Sequence, residues 1–361
     1  MDHTETVLKE LTEAFGPPGF EEEIREKIYN FIKDVVDEIK TDKLGSIIAI
    51  KKGKKDKPRI MFIAHIDEIG LMVKGFTQEG YVKFLPLGGW WTGVLIGQKV
   101  VLKTRDGKKF SGIIGSTPPH LLRKKENASK LPEIDDLWVD FGVDPEFNPK
   151  EKLSIEIGDI MVPHSEFEIL GNEKVYSSKA FDNRYGAGLL VRILEELKNK
   201  EFEGTVYGVF SVQEEVGLRG AATSPWIAEP DVAIALDVSI SEDTPGIKDK
   251  SEAKMGNGCS IVVLDATMIA NRKLTEFLKE IAKRENIKHH LVTVPMGGYD
   301  TGRVHMFKEG VPSAIIGIPT RYIHGFHSLM HRDDFDNALK LSTNFVTNLT
   351  EEKLNEFTKY L

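Results

Sequence analysis

RIMFIAHIDEIG (59–70) decides how the rest of the chain is read. After Arg59, residues 60–64 form an unbroken apolar run, the pattern of a strand covered on both faces. The run stops abruptly at His65-Ile66-Asp67. In open α/β sheets, ligands bind beyond the carboxyl ends of the strands, so the residues that end each apolar run are where chemistry is expected. TVYGVFSV (205–212) runs into Gln213-Glu214-Glu215, DVAIAL (231–236) into Asp237, and SAIIGIPTRYI (313–323) into His324. Asp182 stands just before a helical stretch at 183–198, at its N-cap or close to it. If these strands are neighbours, two histidines and four carboxylates gather at one edge.

Taken singly, each group has an ordinary explanation. His-x-Asp after a strand is commonly a loop, Asp182-Asn183 reads equally well as a helix cap, and Asp237 as turn chemistry. His324 fits a half-buried ring with a backbone partner. The Glu214-Glu215 pair is harder to explain away. Adjacent acids at a strand end repel one another, and no Lys or Arg is closer in sequence than Arg219. A bound cation is a natural counter-charge. Together the groups have the composition of a dinuclear site: carboxylates and imidazoles without thiolates, which suits zinc, cobalt or manganese in a catalytic setting. Asp67, two residues past His65, is placed to hold that imidazole in its metal-binding tautomer.

Moving outward, the N-terminal side carries two amphipathic helical patterns. One includes Val7, Leu8, Leu11 and Phe15 and is stopped by GPPG (16–19); the other runs from about Glu21 to Ile39. SIIAI (46–50) and RIMFIA (59–64) read as a hairpin joined by a solvated Lys-rich turn. From 72 to 165 Gly and Pro become frequent and helical periodicity vanishes. Asp106-Gly107 between VVLKT and KFSGII marks a hairpin, and YVKFL, LWVDFGV and DIMV are further short strands, with a polar excursion near KKENASK (124–130). This segment reads as a small all-β module inserted in an α/β domain of 1–71 plus 166–361. For His65 and Asp182 to meet, the inserted chain must leave the sheet and return. Beyond it strands and helices alternate, and a long closing helix is expected over about 334–358. The fold class is therefore α/β, a mixed sheet flanked by helices with an inserted small all-β domain.

Composition narrows the function classes. With 361 residues, 40% apolar and 29% charged, the chain can build a large core. A net charge of −8 argues against a nucleic-acid partner. No apolar stretch approaches the ~20 residues of a membrane span. The polar, acidic start MDHTETVLKE does not resemble a secretory signal. One cysteine, Cys259, fits a reducing, cytoplasmic setting.

With these residues assembled, the chain resembles the TET-type aminopeptidases, dinuclear metallopeptidases of family forty-two. The motifs are AHIDEIG (64–70), SSKAFDNRYG (177–186), VQEEVGLRGA (212–221), ALDVS with DTPG (235–246) and IPTRYIH (318–324), with GIIGSTPPHLL (112–122) in the β-rich segment. The resemblance implies a zinc-peptidase-like catalytic domain and a dimerisation role for 72–165. Two divalent ions per subunit, zinc or cobalt first, would be bridged by Asp182. His65 and Asp237 would complete one site, and Glu215 and His324 the other. Glu214 would be the general acid/base and Asp67 would orient His65. Peptides with a free N-terminus would be the substrates, and the subunits would form a tetrahedral dodecamer, with Phe84, Trp90 and Trp91 as candidate contact residues. GGYDTGR (297–303) departs from the family's usual Gly-Gly-Thr-Asp-Ala-Gly. His327 and His331 have a spacing that can bind zinc on one helix face, but they read as surface histidines, since the metal ligands are already supplied. Two other readings remain open from the residues alone: a metal-independent glycosidase with paired carboxylates, and a non-catalytic peptide-binding assembly protein.

Overall fold

The computed structural model describes residues 1–121, 130–247 and 251–360. Most of the KKENASK excursion (124–129), and Leu122, lie outside the described residues. Helices α1 (His3–Glu13) and α2 (Glu22–Ile32) bury the expected apolar stripes, and Asp2 with Glu5 closes a capping box on α1. The second helix stops well short of Ile39. Residues Glu38–Thr41 form strand β1 instead, because the Asp42 carboxylate accepts the backbone N–H groups of Leu44, Gly45 and Ser46 and turns the chain back.

Strands β2 (Ile47–Lys52) and β3 (Arg59–His65) come next. The chain then builds β4 (Gly70–Phe76), β5 (Val82–Leu87), β6 (Lys99–Lys103), β7 (Lys109–Gly115), β8 (Trp138–Asp140) and β9 (Ile160–Pro163). These six close into a barrel in the order β4-β5-β8-β7-β6-β9, with β6 and β7 joined as the Asp-Gly hairpin. Leu71, Val73, Phe84, Val100, Ile114 and Val139 fill its interior. A small sheet follows, β10 (Glu168–Ile169) with β11 (Val175–Ser178).

The remaining elements are α3 (Phe181–Leu197), β12 (Thr205–Ser211), β13 (Val232–Ile240), β14 (Cys259–Asp265), α4 (Arg272–Arg284), β15 (His289–Val294), β16 (Ser313–Thr320), β17 (Ser328–His331), α5 (Arg332–Asn348) and α6 (Glu351–Phe357), besides short helical turns. The main sheet has eight strands in the order β1-β2-β12-β3-β13-β16-β14-β15. Strands β12, β3, β13 and β16 are mutually parallel, and β1, β2 and β14 supply the antiparallel pairings. Along β3 the side chains alternate: Ile60, Phe62 and Ala64 face the layer containing α3 and α5, and Met61 and Ile63 face the other. Both faces are covered, as the unbroken apolar run required.

Three expectations are corrected. SIIAI and RIMFIA do not form a hairpin, since β12 lies between β2 and β3. The Lys-rich connection spans two inter-strand spacings, about 10 Å, and β12, apolar on both faces, takes the protected place between them. The closing helix is broken at Leu349, and Thr350 caps a new helix by accepting the Lys353 N–H. His327 and His331 flank strand β17 and share no helix face; His327 is exposed, and His331 caps α5 by accepting the Asp333 N–H.

Candidate dinuclear metal centre

Register assembles the site. Ser211 pairs with His65 across β12 and β3, and Ala235 pairs with Ile63, so Asp237 comes level with His65. Asp237 is not a turn residue: β13 continues to Ile240, and Asp237 is buried within it. Past β12 the chain turns at Gln213, which adopts a positive φ of 57°, and presents Glu214 and Glu215. Asp182 and Asn183 share the start of α3, but the capping task falls to Asn183, which accepts the Gly186 N–H. Asp182 is thereby left to point into the site.

The two oxygens of Asp182 face two different rings. Oδ1 is 3.2 Å from His65 Nε2, and Oδ2 is 3.2 Å from His324 Nε2. Around His65 Nε2 stand Glu214 Oε2 at 3.7 Å and Asp237 Oδ2 at 4.0 Å; Glu215 Oε2 is 3.6 Å from His324 Nε2. Three sets of side chains are compact enough to hold a cation: His65, Asp182 and Asp237; Asp182, Glu215 and His324; and His65, Glu214 and Glu215.

The protons of the rings test whether a cation fits. His65 Nδ1 lies 3.1 Å from the Asp67 carbonyl, and His324 Nδ1 lies 2.7 Å from the Gly89 carbonyl. A carbonyl only accepts, so Nδ1 carries the proton in each ring. A neutral ring then aims a bare Nε2 lone pair at an Asp182 oxygen, which repels unless positive charge sits between them. Without metal the cluster draws protons instead. Although burial opposes it, the acids Glu214 and Asp182 hold His65 well above its ordinary range. His324, likewise against the pull of burial, is raised to about 10 by its contact with Asp182. Burial and the nearby Asp182 charge push Glu215 up to about 8, and its Oε1 is buried with no partner. Burial also raises Glu214 and Asp237. Four carboxylates and two imidazoles, short of positive charge, fit divalent cations of the zinc, cobalt and manganese type.

Asp67 meets His65 chiefly through its backbone and has a further task. Its carbonyl, not its carboxylate, takes the close contact with His65; the carboxylate stands 3.6 Å away. Oδ1 and Oδ2 accept the backbone N–H groups of Glu214 and Glu215, each at 3.0 Å. Asp67 therefore fixes both acids through their backbone. Behind it, buried Glu68 receives Lys179 and Arg184, tying the loop after β3 to the start of α3.

Two groups were not expected from the sequence. Gly88 and Gly89, from the segment after β5, reach the cluster: a Cβ on Gly88 would lie 3.0 Å from Glu215 Oε2, and one on Gly89 3.2 Å from His324 Nδ1. A Gly-Gly pair at a strand end is the available signal for such close approach. Asp300, inside GGYDTGR, is buried against Ser211 Oγ, and burial raises it to about 6.

The profile of the M42 glutamyl aminopeptidase family matches residues 45–341. This chain belongs to that family. It is 36% identical to the glutamyl aminopeptidase of Lactococcus lactis over 98% of each chain. Identity to the lysyl aminopeptidase of Pyrococcus furiosus is 34%, over 93% of this chain and 94% of that protein. The TET aminopeptidase structure from the marine sediment archaeon Thaumarchaeota archaeon SCGC AB-539-E09 superposes with a TM-score of 0.94 at 40% identity, covering 99% and 100% of the two chains. The TET1 peptidase of Pyrococcus horikoshii, described as assembling into a tetrahedron or a large octahedral shell, superposes at 0.83 with 32% identity, covering 96% and 100%. The protein is thus an aminopeptidase of a metal-dependent family, and the non-catalytic binding-protein reading falls away. Among the described residues no helix is long and apolar enough to cross a membrane.

Proposed function

We propose that the chain removes N-terminal residues from peptides at a two-ion centre bridged by Asp182. The observation that carries this is the pair of 3.2 Å contacts from the two Asp182 oxygens to His65 Nε2 and His324 Nε2. Asp182 with His65 and Asp237 would hold one ion, and Asp182 with Glu215 and His324 the other. Bound divalent ions supply Lewis acidity, lowering the pKa of water toward about 7 and drawing charge from a carbonyl oxygen.

Glu214 is the acid left outside the two groups that share Asp182. Its backbone is held by Asp67, and its side chain opens onto the cavity. It takes a proton from the attacking water as the oxygen bonds to the first peptide carbon. It then delivers that proton to the departing amine as the C–N bond breaks. A free N-terminal ammonium can pair with a carboxylate lining the cavity, which a blocked terminus cannot do.

We further assign the subunit to a homo-oligomer, a tetrahedral dodecamer, with the barrel of 72–165 as its dimerisation module and the remainder as the catalytic domain. The likeness to TET1 supports this, and Trp91 on the barrel is 66% exposed. Phe84, in contrast, is buried in the barrel core, and Trp90 is half-buried against Phe326. The single buried cysteine suits the reducing cytoplasm. Hydrolysis of paired free and N-acetylated aminoacyl substrates, before and after chelation and with zinc or cobalt restored, tests the reading. Cleavage of the free forms alone, lost with the metal and regained with it, is expected.

A further inference from the structure

The cavity beside the cluster has a volume of about 480 Å³. Its acids are those of the cluster, Asp182, Glu214, Glu215 and Asp237; among the described residues no Lys or Arg lines it. The rest of the wall is formed largely by Val238, Ile240, Val294, Met296 and Ile323, with Thr267 and Tyr299 between them. The protons of both hydroxyls are committed: Tyr299 Oη donates to the Val238 carbonyl at 2.9 Å, and Thr267 Oγ1 donates to Asp265 Oδ1 at 2.6 Å. At the mouth, Ile240 and Met296 are 47% and 87% exposed. This is apolar surface continuous with a reaction centre.

We infer that this wall receives the side chain of the substrate's first residue and selects an aliphatic or aromatic one over glutamyl or lysyl. The inference rests on the aminopeptidase activity of the same site and departs from the specificities named for the relatives. A glutamyl carboxylate entering this wall finds no Lys or Arg to pair with among the described residues. A lysyl ammonium gives up most of its water to a wall whose side chains, outside the acid cluster, are largely apolar. An apolar side chain gains from burial against five apolar neighbours.

The test compares kcat/KM for leucyl, phenylalanyl, glutamyl and lysyl p-nitroanilides on the metal-loaded protein. Leucyl and phenylalanyl substrates are expected to exceed the other two by at least about tenfold, the scale set by burying one aliphatic side chain. A glutamyl or lysyl substrate that equals or exceeds them overturns the inference while leaving the aminopeptidase standing. Turnover of none of the four sinks the shared activity and the inference together. Ile240→Lys places a cation at the mouth and is expected to raise the glutamyl-to-leucyl ratio about tenfold, chiefly through KM; an unchanged ratio removes this wall from substrate selection. Calorimetric titration of Glu214→Gln with Leu-Gly and Glu-Gly reads the same preference without turnover, and tighter binding of Glu-Gly contradicts it.

Discussion

His324 Nδ1 donates to the carbonyl of Gly89 at 2.7 Å, across 235 positions of sequence. A residue of the barrel segment thus sets the tautomer of a ring in the main domain. Trp90 anchors that segment, with its Nε1–H on the Gly70 carbonyl and its ring against Phe326. The connection between β5 and β6 therefore takes part in the candidate site.

Gly89→Ala tests this relationship. The added Cβ would stand 3.2 Å from Nδ1 and 3.4 Å from Cε1 of His324, so ring or loop has to shift. Metal affinity at the His324 half of the site is expected to fall about 10–100-fold, the usual effect of disturbing a ligand's supporting partner. Competition titration with a chromogenic chelator measures it; unchanged affinity would separate the loop from the site.

Asp67→Asn removes one of two acceptors from a fully buried position. The carboxylate serves the Glu214 and Glu215 N–H groups together, whereas an amide offers one oxygen and turns an NH2 toward the second N–H. A loss of about 1–3 kcal/mol is expected, along with a lower kcat as Glu214 drifts. Thermal unfolding and steady-state kinetics on one preparation read both.

Much of this was legible in the chain. Strands apolar on both faces announce a covered sheet, and the acids and histidines that end them announce its working edge. Strand order was not legible. The β2–β3 pairing failed because β12, from 140 residues later, fits between them, and single-strand patterns carry no record of non-local partners. Strand β14 went unread, although CSIVVLD is an apolar run of strand length. The helix break at Thr350 had a local signal in Thr350-Glu351-Glu352. Asp67 was found by its spacing, but which of its oxygens does the work depends on where the Glu214 turn passes. Gly88 and Gly89 matter for the room they leave, which only packing reveals.

Glu214→Gln keeps size and hydrogen-bonding shape while removing the base. The protein is expected to fold and to retain its metal, with kcat lowered about 10²–10⁴-fold. Metal analysis beside the kinetics distinguishes loss of the base from loss of the ions. Near-normal kcat would take Glu214 out of the reaction.

A pH effect is expected far from the centre. Asp334, at the start of α5, accepts the N–H groups of Gly256 and Gly258 at 2.7 Å each, yet burial raises it from 3.8 to about 7. The folded chain keeps a proton that the unfolded chain releases above 3.8, so this group's contribution to stability is full below 3.8 and declines until the pH passes about 7. Asp334→Asn removes the titration. The Tm advantage of the parent over this variant should shrink as the pH is raised through that window, and a constant difference would exclude the linkage.

The most direct measurement of the central claim is anomalous diffraction at the zinc edge from crystals grown with excess zinc. Two peaks are predicted, one between Asp182 Oδ1 and His65 Nε2 and one between Asp182 Oδ2 and His324 Nε2. A single peak that leaves one of these gaps empty, or zinc bound only elsewhere on the chain, contradicts the account.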